Sequence, residues 1–132
     1  MIHTEIRSSV ITALREVAPP GTTFFDGRPA FIDVTDLPAI AVYISGAECS
    51  ESQLDGEMWS AELHIEVFLK ATEPDTALDT WVESRIHPVM ADIPALDSLT
   101  ETLSPVGYDY QRDDEATTWG SVDLRYSITY QM

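Results

Sequence analysis

Apolar residues recur at two different periods along the chain, and each change of period marks a new secondary-structure element. Near the start, four apolar residues are spaced by four, four and three positions: Ile6, Val10, Leu14 and Val17. This spacing places them on one face of a helix, for which Thr4 is a suitable N-cap. The helix is expected to end at Pro19, which Pro20 and Gly21 follow.

The middle of the chain predicts a long antiparallel hairpin. Residues 39–44 form a continuous apolar run, which is typical of a buried strand. In residues 59–69, apolar and polar side chains alternate, which is typical of a strand with one buried face. Residues 49–56 between them are polar and end on the turn signal Asp55-Gly56, so they are expected to form the loop at the hairpin tip.

The second half of the chain predicts further helices and two more strands. Apolar residues recur at helical spacing in one stretch: Leu78, Trp81, Val82, Ile86, Val89 and Ile93. Pro88 should bend or end this helix because proline lacks an N–H donor, and a short helix can follow Pro94. Residues 105–113 and 122–130 predict two strands, joined by an exposed acidic turn at residues 113–117.

The order of these elements defines the expected fold. Helix, two strands, helix and two strands predict an α+β fold: a mainly antiparallel four-stranded sheet with a long hairpin and helices packed on one face. One domain is expected to span residues 1–132, a length that suits a single core. Residues 22–29 are interpreted as a short extended piece that turns at Asp26-Gly27, and they are not counted among the four strands.

The charge balance argues against several classes of function. The chain has 23 acidic and 7 basic residues and a formal net charge of −16. Binding to nucleic acid phosphates or to an anionic membrane needs lysines and arginines that this chain lacks. Cys49 is the single cysteine, and the N-terminus lacks the regions of a signal peptide, so we expect an intracellular protein without disulfides.

One row of polar residues is a candidate metal site. Glu62, His64 and Glu66 are spaced by two and share one strand face. Such a set could hold the divalent metal of a small hydrolase. The other interpretation is a solvated sheet face, which Asp123 and Arg125 of the last strand would share.

A second acidic cluster consists of Asp113, Asp114 and Glu115. Its carboxylates could bind Mg²⁺ or Ca²⁺ loosely, although the spacing of a calcium-binding loop is missing. The other interpretation is an exposed hairpin turn. No catalytic residue is predicted, because nucleophile and phosphate-loop motifs are missing from the sequence.

Aromatic and charged side chains in expected loops and strands are candidate interface residues. They lie in residues 22–29, at the hairpin tip and in the strand at 105–113: Phe25, Asp26, Arg28, Glu51, Asp55, Tyr108, Tyr110 and Arg112. Arg28 could contact an acidic neighbouring subunit, or it could pair locally with Asp26 or Asp33. The two tyrosines could anchor an interface or form cross-strand pairs within the domain.

Segments spread from end to end resemble one known family. They are TFFDGRP at 23–29, AELHIEVFL at 61–69, ESRI at 83–86, PVM at 88–90, DIPAL at 92–96, GYDY at 107–110, RDD at 112–114 and ITY at 128–130. The chain closely resembles the minor tail protein U, or tail terminator, family of lambda-like phages. Differences concentrate in residues 49–57 and 97–106.

The resemblance implies assembly without catalysis. Such proteins form hexameric rings that dock on the head-proximal end of the tail tube and stop its polymerisation. We therefore expect three protein partners: further copies of this chain, the major tail tube protein and the head completion protein. DNA would pass through the ring without specific binding. The protein would be assembled in the host cytoplasm and would end at the head–tail joint of the virion, away from membranes.

Charge adds one expectation about assembly, and two other functions stay open. Subunits with a charge of −16 repel one another, so Mg²⁺ is expected to favour the ring, although no cofactor is needed for a reaction. One alternative is a head–tail connector or adaptor ring at a different position in the virion. The other is the small metal-dependent hydrolase built on Glu62, His64 and Glu66.

Overall fold

The computed structural model describes residues 1–53, 56–72, 75–114 and 117–132, with residues 50–53 described by their backbone alone. Its helical segments are α1 (Ile2–Arg15), a 3₁₀ turn (Val34–Asp36), α2 (Asp75–Trp81), a π-helical segment (Val82–Ile86), α3 (His87–Met90) and α4 (Pro94–Asp97). Its strands are β1 (Thr23–Asp26), β2 (Ala39–Gln53), β3 (Gly56–Lys70), β4 (Thr102–Arg112) and β5 (Trp119–Gln131). No helix among the described residues is long and apolar enough to cross a membrane.

The strands form a five-stranded mixed sheet in the order β1-β2-β3-β5-β4. The α+β class is correct, but the prediction of a mainly antiparallel four-stranded sheet is wrong. The fifth strand is β1, which pairs in parallel with β2 from Thr23↔Ala39 to Asp26↔Val42. Residues 27–38 form the crossover that a parallel pair requires, and the periodicity of four residues could not reveal this pairing.

The β2–β3 hairpin is longer than predicted. Residues 49–53, expected in a loop, continue β2, and the ladder runs on to Gln53↔Gly56. The polar sequence did not prevent strand formation, because the ladder is held by backbone hydrogen bonds; its register shifts at two irregularities. The first irregularity lies between Ser45 and Glu48, where Gly46 has a φ of +61°.

The helices pack against one face of the sheet and bury the main core there. α1 starts at Ile2, ahead of the predicted N-cap Thr4, and buries Ile6, Val10 and Leu14 completely. The alternating apolar residues of β3 and β5 face these helices: Leu63, Ile65, Val67, Val122, Leu124, Ile128 and Tyr130. The second helix loses its α geometry at Val82–Ile86, just before Pro88, as the missing N–H of that proline predicts.

The other face of the sheet has a small core of its own. Its buried apolar residues are Ile32, Ala39, Ala41, Tyr43 and Phe68, against which Phe25, Leu37 and Trp119 pack. The crossover at residues 27–38 contributes Ile32 and Leu37, so this connection covers part of the second face. The polar side chains of β3 and β5 on this face therefore lie beside an apolar cover.

Candidate functional site

The candidate row on β3 is divided between two environments. Glu62 is partly exposed and lies 3.8 Å from Arg125 Nη1. His64 and Glu66 are only 8% and 3% exposed. The interpretation of a solvated row is therefore wrong for these two side chains, because the crossover and its apolar cluster shield the second face.

His64 connects β2 to β5 through both ring nitrogens. Its Nδ1 lies 3.0 Å from Asp123 Oδ2, and its Nε2 lies 2.6 Å from Ser45 Oγ. An ionised carboxylate can only accept, so Nδ1 donates to Asp123, and the serine hydroxyl pairs with Nε2 on the other side of the ring. The ring of Tyr43 stacks on the imidazole with centroids 4.5 Å apart and fixes its plane.

Glu66 occupies the apolar end of the same cluster. Ser121 Oγ donates to it at 2.6 Å and Tyr43 Oη at 2.9 Å. Burial raises the pKa of the Glu66 carboxyl, and the two hydrogen bonds oppose that rise only in part. Burial, the nearby carboxylates of Glu66 and Asp123, and the hydrogen bond to Glu66 all raise the pKa of Tyr43, so its hydroxyl stays protonated and acts as a donor.

Together these side chains form a polar cluster of Tyr43, Ser45, His64, Glu66, Ser121 and Asp123. Its hydrogen bonds join β2, β3 and β5, the three central strands. The order hydroxyl, imidazole and carboxylate is also that of serine hydrolases. What the geometry alone provides is a rigid connection across the sheet, since each buried polar atom it contains finds a partner within the cluster.

The acidic turn is organised by backbone contacts. Asp113 Oδ2 accepts from the N–H of Thr118 at 3.0 Å, and the N–H of Asp113 donates to Trp119 O at 2.9 Å. Asp114 is exposed, and Glu115 lies outside the described residues. Within the described ranges, no group of three or more His, Cys, Asp or Glu side chains is placed to hold a metal ion.

Three of the predicted interface residues lie on β4, an edge strand of the sheet. Tyr108 and Tyr110 are 40% and 45% exposed. Each of the three side chains contacts the helical layer. Tyr108 Oη contacts His87 Nε2, and Tyr110 Oη donates to Asp79. Arg112 forms an ion pair of 2.8 Å with Asp75. These contacts hold β4 against α2 and α3 and leave much of each side chain exposed.

The other predicted interface residues lie at or beside β1, the opposite edge of the sheet, or at the hairpin tip. Phe25 packs into the second-face core, and Asp26 forms an ion pair of 2.5 Å with Arg7 rather than with Arg28. The guanidinium of Arg28 lies 5.6 Å from the ring centroid of Tyr43. The backbone of Glu51 pairs with Met58 in the hairpin, whereas Asp55 lies outside the described residues.

Sequence reasoning missed Tyr43, Ser45 and Ser121 as members of the polar cluster. One signal for them was present. The run at residues 39–44 is apolar at every position, which is typical of a strand covered on both faces. A covered second face at β2 implies that the neighbouring His64 and Glu66 are covered as well.

The chain is similar over its whole length to known proteins of phage tails. The family model of phage minor tail protein U matches residues 1–130. The tail tube terminator protein of Escherichia phage lambda is 58% identical over 132 residues, and that of Escherichia phage N15 is 50% identical; both alignments cover all of each chain. A solved chain from the virion of a native gene transfer agent particle covers 96% of this chain and 94% of its own length, with 18% identity and a TM-score of 0.43, too low to support a conclusion.

These relatives define the class as a structural protein of phage tails and not an enzyme. The chain belongs to the phage minor tail protein U family. The resemblance stated from the sequence is thereby confirmed, and the hydrolase alternative is wrong. The Ser45–His64–Asp123 arrangement is accordingly a structural connection between strands.

Proposed function

We propose that this chain terminates phage tail tubes by forming a ring on the head-proximal end of the tube. The observation that carries the proposal is full-length similarity, at 58% and 50% identity, to the tail tube terminator proteins of two phages. Similarity that covers every residue of both chains includes the surfaces through which the relatives act. A connector or adaptor ring would be expected to resemble other families.

The two edges of the sheet suggest how the ring closes. A hexameric ring built head to tail joins two different surfaces of each subunit. β1 and β4 are the two edge strands, and an edge strand presents unpaired backbone groups to a neighbour. We assign the subunit interface to the β4 side of one subunit, with Tyr108, Tyr110 and Arg112, and to the β1 side of the next, with Phe25 and Arg28.

Charge supports this pairing of unlike edges. Arg7, Arg15 and Arg28 lie on or beside the β1 side, where Arg7 pairs with Asp26 and Arg15 covers Phe24. The β4 side carries the carboxylates of Asp75, Asp79 and Asp109; Arg112 and Arg125 lie beside Asp75 and Asp109, which leaves an excess of one negative charge. Opposite partial charges on the two edges would direct each subunit to bind a neighbour in one orientation and would disfavour contact between two β4 edges.

Termination then follows from the two unlike faces of the ring. One face would bind the last ring of the major tail tube protein. The other face would not copy the tube's docking surface, so tube growth would stop there, and this face would receive the head completion protein. An acidic lining of the hole would repel DNA phosphates, so DNA could pass without binding. The ring would stand at the head–tail joint after assembly in the host cytoplasm.

Mg²⁺ is proposed to favour the ring, since each subunit adds a net charge of −16. Sedimentation should show larger assemblies in MgCl₂ than in NaCl of the same ionic strength with a chelator present. Equal assembly in both buffers would contradict a role for the divalent ion, since the comparison removes simple screening.

Termination can be tested in vitro. Purified tube protein of the same phage is allowed to polymerise, this chain is added, and tube lengths are measured by electron microscopy. Growth should stop after addition, with extra density at one tube end. Continued elongation at saturating concentrations of the folded chain would contradict the proposal.

The pairing of unlike edges can be tested by mixing two variants. Val106→Asp alters the exposed β4 edge, Arg28→Glu alters the β1 side, and the exposed helix variant Thr12→Glu is the control for added charge. Each edge variant alone should fail to assemble, while their mixture should give heterodimers through the one intact pair of edges. Assembly of either edge variant alone, or a mixture that stays monomeric, would contradict the assignment.

A further inference from the structure

A cavity at one end of the helical layer contains an unused polar group. The cavity measures about 540 Å³ and lies between α3, the segment after α4, and the start of β4. Its lining residues include His87, Met90, Asp97, Glu101, Leu103 and Tyr126. Tyr126 comes from β5 and is 5% exposed.

The hydroxyl of Tyr126 is the unused group. It is buried and has no hydrogen-bond partner among the described residues. Its neighbour on β5, Tyr130, is also buried, yet its hydroxyl lies 2.6 Å from His3 Nε2. An unpaired buried hydroxyl costs about 1–3 kcal/mol, so a ligand that pairs with it would recover that free energy.

The surroundings of this hydroxyl keep it protonated. Burial first, and then the charge of Tyr108, raise the pKa of Tyr126 to about 12, so the hydroxyl is neutral. A neutral phenol can donate one hydrogen bond and can also accept one from a cation.

The remaining walls define the chemistry of an occupant. Asp97 and Glu101 are exposed at the rim, and neither forms an ion pair with any described residue. The buried Met90 and the partly buried Leu103 give the cavity an apolar side. A cation with an apolar stem matches this combination, since long basic side chains bury their methylenes and keep the charged group at acceptors.

We propose that this cavity receives an arginine side chain from another protein. The planar guanidinium has five N–H donors, enough to pair with both rim carboxylates and with the Tyr126 hydroxyl. A bare metal ion is a poorer match, because no described group of three metal-binding side chains is placed together.

The occupant is assigned to a different protein and not to a second copy of this chain. In the proposed ring, Arg28 faces the β4 side of the next subunit, and the other arginines already have partners: Arg7, Arg112 and Arg125 contact carboxylates, while Arg15 and Arg85 lie over aromatic rings. A partner with unpaired arginines would gain more from the acidic rim than a copy would. This inference does not depend on termination, since any basic partner could use the cavity.

The test is an NMR titration with N-acetyl-arginine methylamide, compared with the neutral N-acetyl-glutamine methylamide. Saturable shifts around Tyr126, Leu103 and Glu101 are expected from the arginine probe alone. Tyr126→Phe should weaken binding about fivefold, the value of one hydrogen bond, and Glu101→Gln should weaken it in the same direction. The matched controls Tyr130→Phe and Asp92→Asn change a partnered hydroxyl and a carboxylate that does not line this cavity, so they should leave binding unchanged.

Stability distinguishes a binding role from a structural one. Tyr126→Phe removes an unpaired group, so the free chain should unfold at the same temperature as the wild type or higher. Equal shifts with both probes, or unchanged binding in Tyr126→Phe, would overturn the proposal. Loss of self-association in Tyr126→Phe would overturn the assignment to a different protein and point to a second copy.

Discussion

The two faces of the sheet are stabilised by different physics. On the helical face, β3 and β5 contribute side chains such as Leu63 and Leu124, which are buried entirely among other apolar groups. On the second face, the same two strands contribute His64, Glu66 and Asp123, which are buried nearly as deeply but only because each finds a hydrogen-bond partner. Apolar packing therefore fixes the helical face, whereas the second face combines a small apolar core with paired polar groups.

This difference predicts a ranking of mutational effects, with the apolar face first. Leu63→Ala should lower the free energy of unfolding by about 3 kcal/mol, because it removes a fully buried side chain and leaves a cavity. Chemical denaturation of the two proteins measures the loss. Val106→Ala, at a position that is 52% exposed, is the control and should change stability by less than about 0.5 kcal/mol. Similar losses in both variants would mean that β3 does not form the core.

Asp123→Ala should have the next largest effect. It leaves His64 Nδ1 without its acceptor inside the second face, at a cost of about 2 kcal/mol. Asp109→Ala is the matched control, because Asp109 is opposite Asp123 in the β4–β5 ladder and is exposed. If the Asp123 variant is no less stable than the Asp109 variant in denaturation, the polar cluster is not a connection between strands.

Glu66→Gln should have the smallest effect, and its sign depends on pH. Burial raises the pKa of Glu66 above its usual value of 4.5, so folding favours the neutral carboxyl. The wild type therefore loses stability as the pH rises from 4.5 through the raised pKa, whereas the amide does not. We expect Glu66→Gln to be more stable than the wild type at pH 7, with the gain disappearing towards pH 4.5. Thermal unfolding across this range, with partly exposed Glu62→Gln as control, checks the trend; a gain that is constant with pH would contradict it.

The same contrast explains which parts of the fold could be predicted. Strict alternation in β3 and β5 identifies their apolar face, since a period of two leaves one choice of buried side. β1 was not predicted as a strand of the sheet because a four-residue strand such as Thr23–Asp26 has no resolvable period, and its parallel partner lies beyond the crossover. The burial of Glu66 depends on the position of Ile32 and Leu37 in that crossover, which is a tertiary feature.

The candidate interface could be predicted only as a set of residues. Arg28, Tyr108 and Arg112 were identified as rare charges and aromatics, but their separation onto opposite edges depends on the strand order β1-β2-β3-β5-β4. Periodicity does not determine strand order. Their assignment to a subunit interface remains a prediction that the mixing experiment tests.

The most direct test of the account is the length of tails made by a phage that lacks this chain. Electron micrographs of such lysates should show tubes longer than wild-type tails and without heads, and supplying the wild-type chain should restore uniform, head-bearing tails. Tails of normal length and with heads attached in the absence of the chain would contradict the proposal that it terminates the tube.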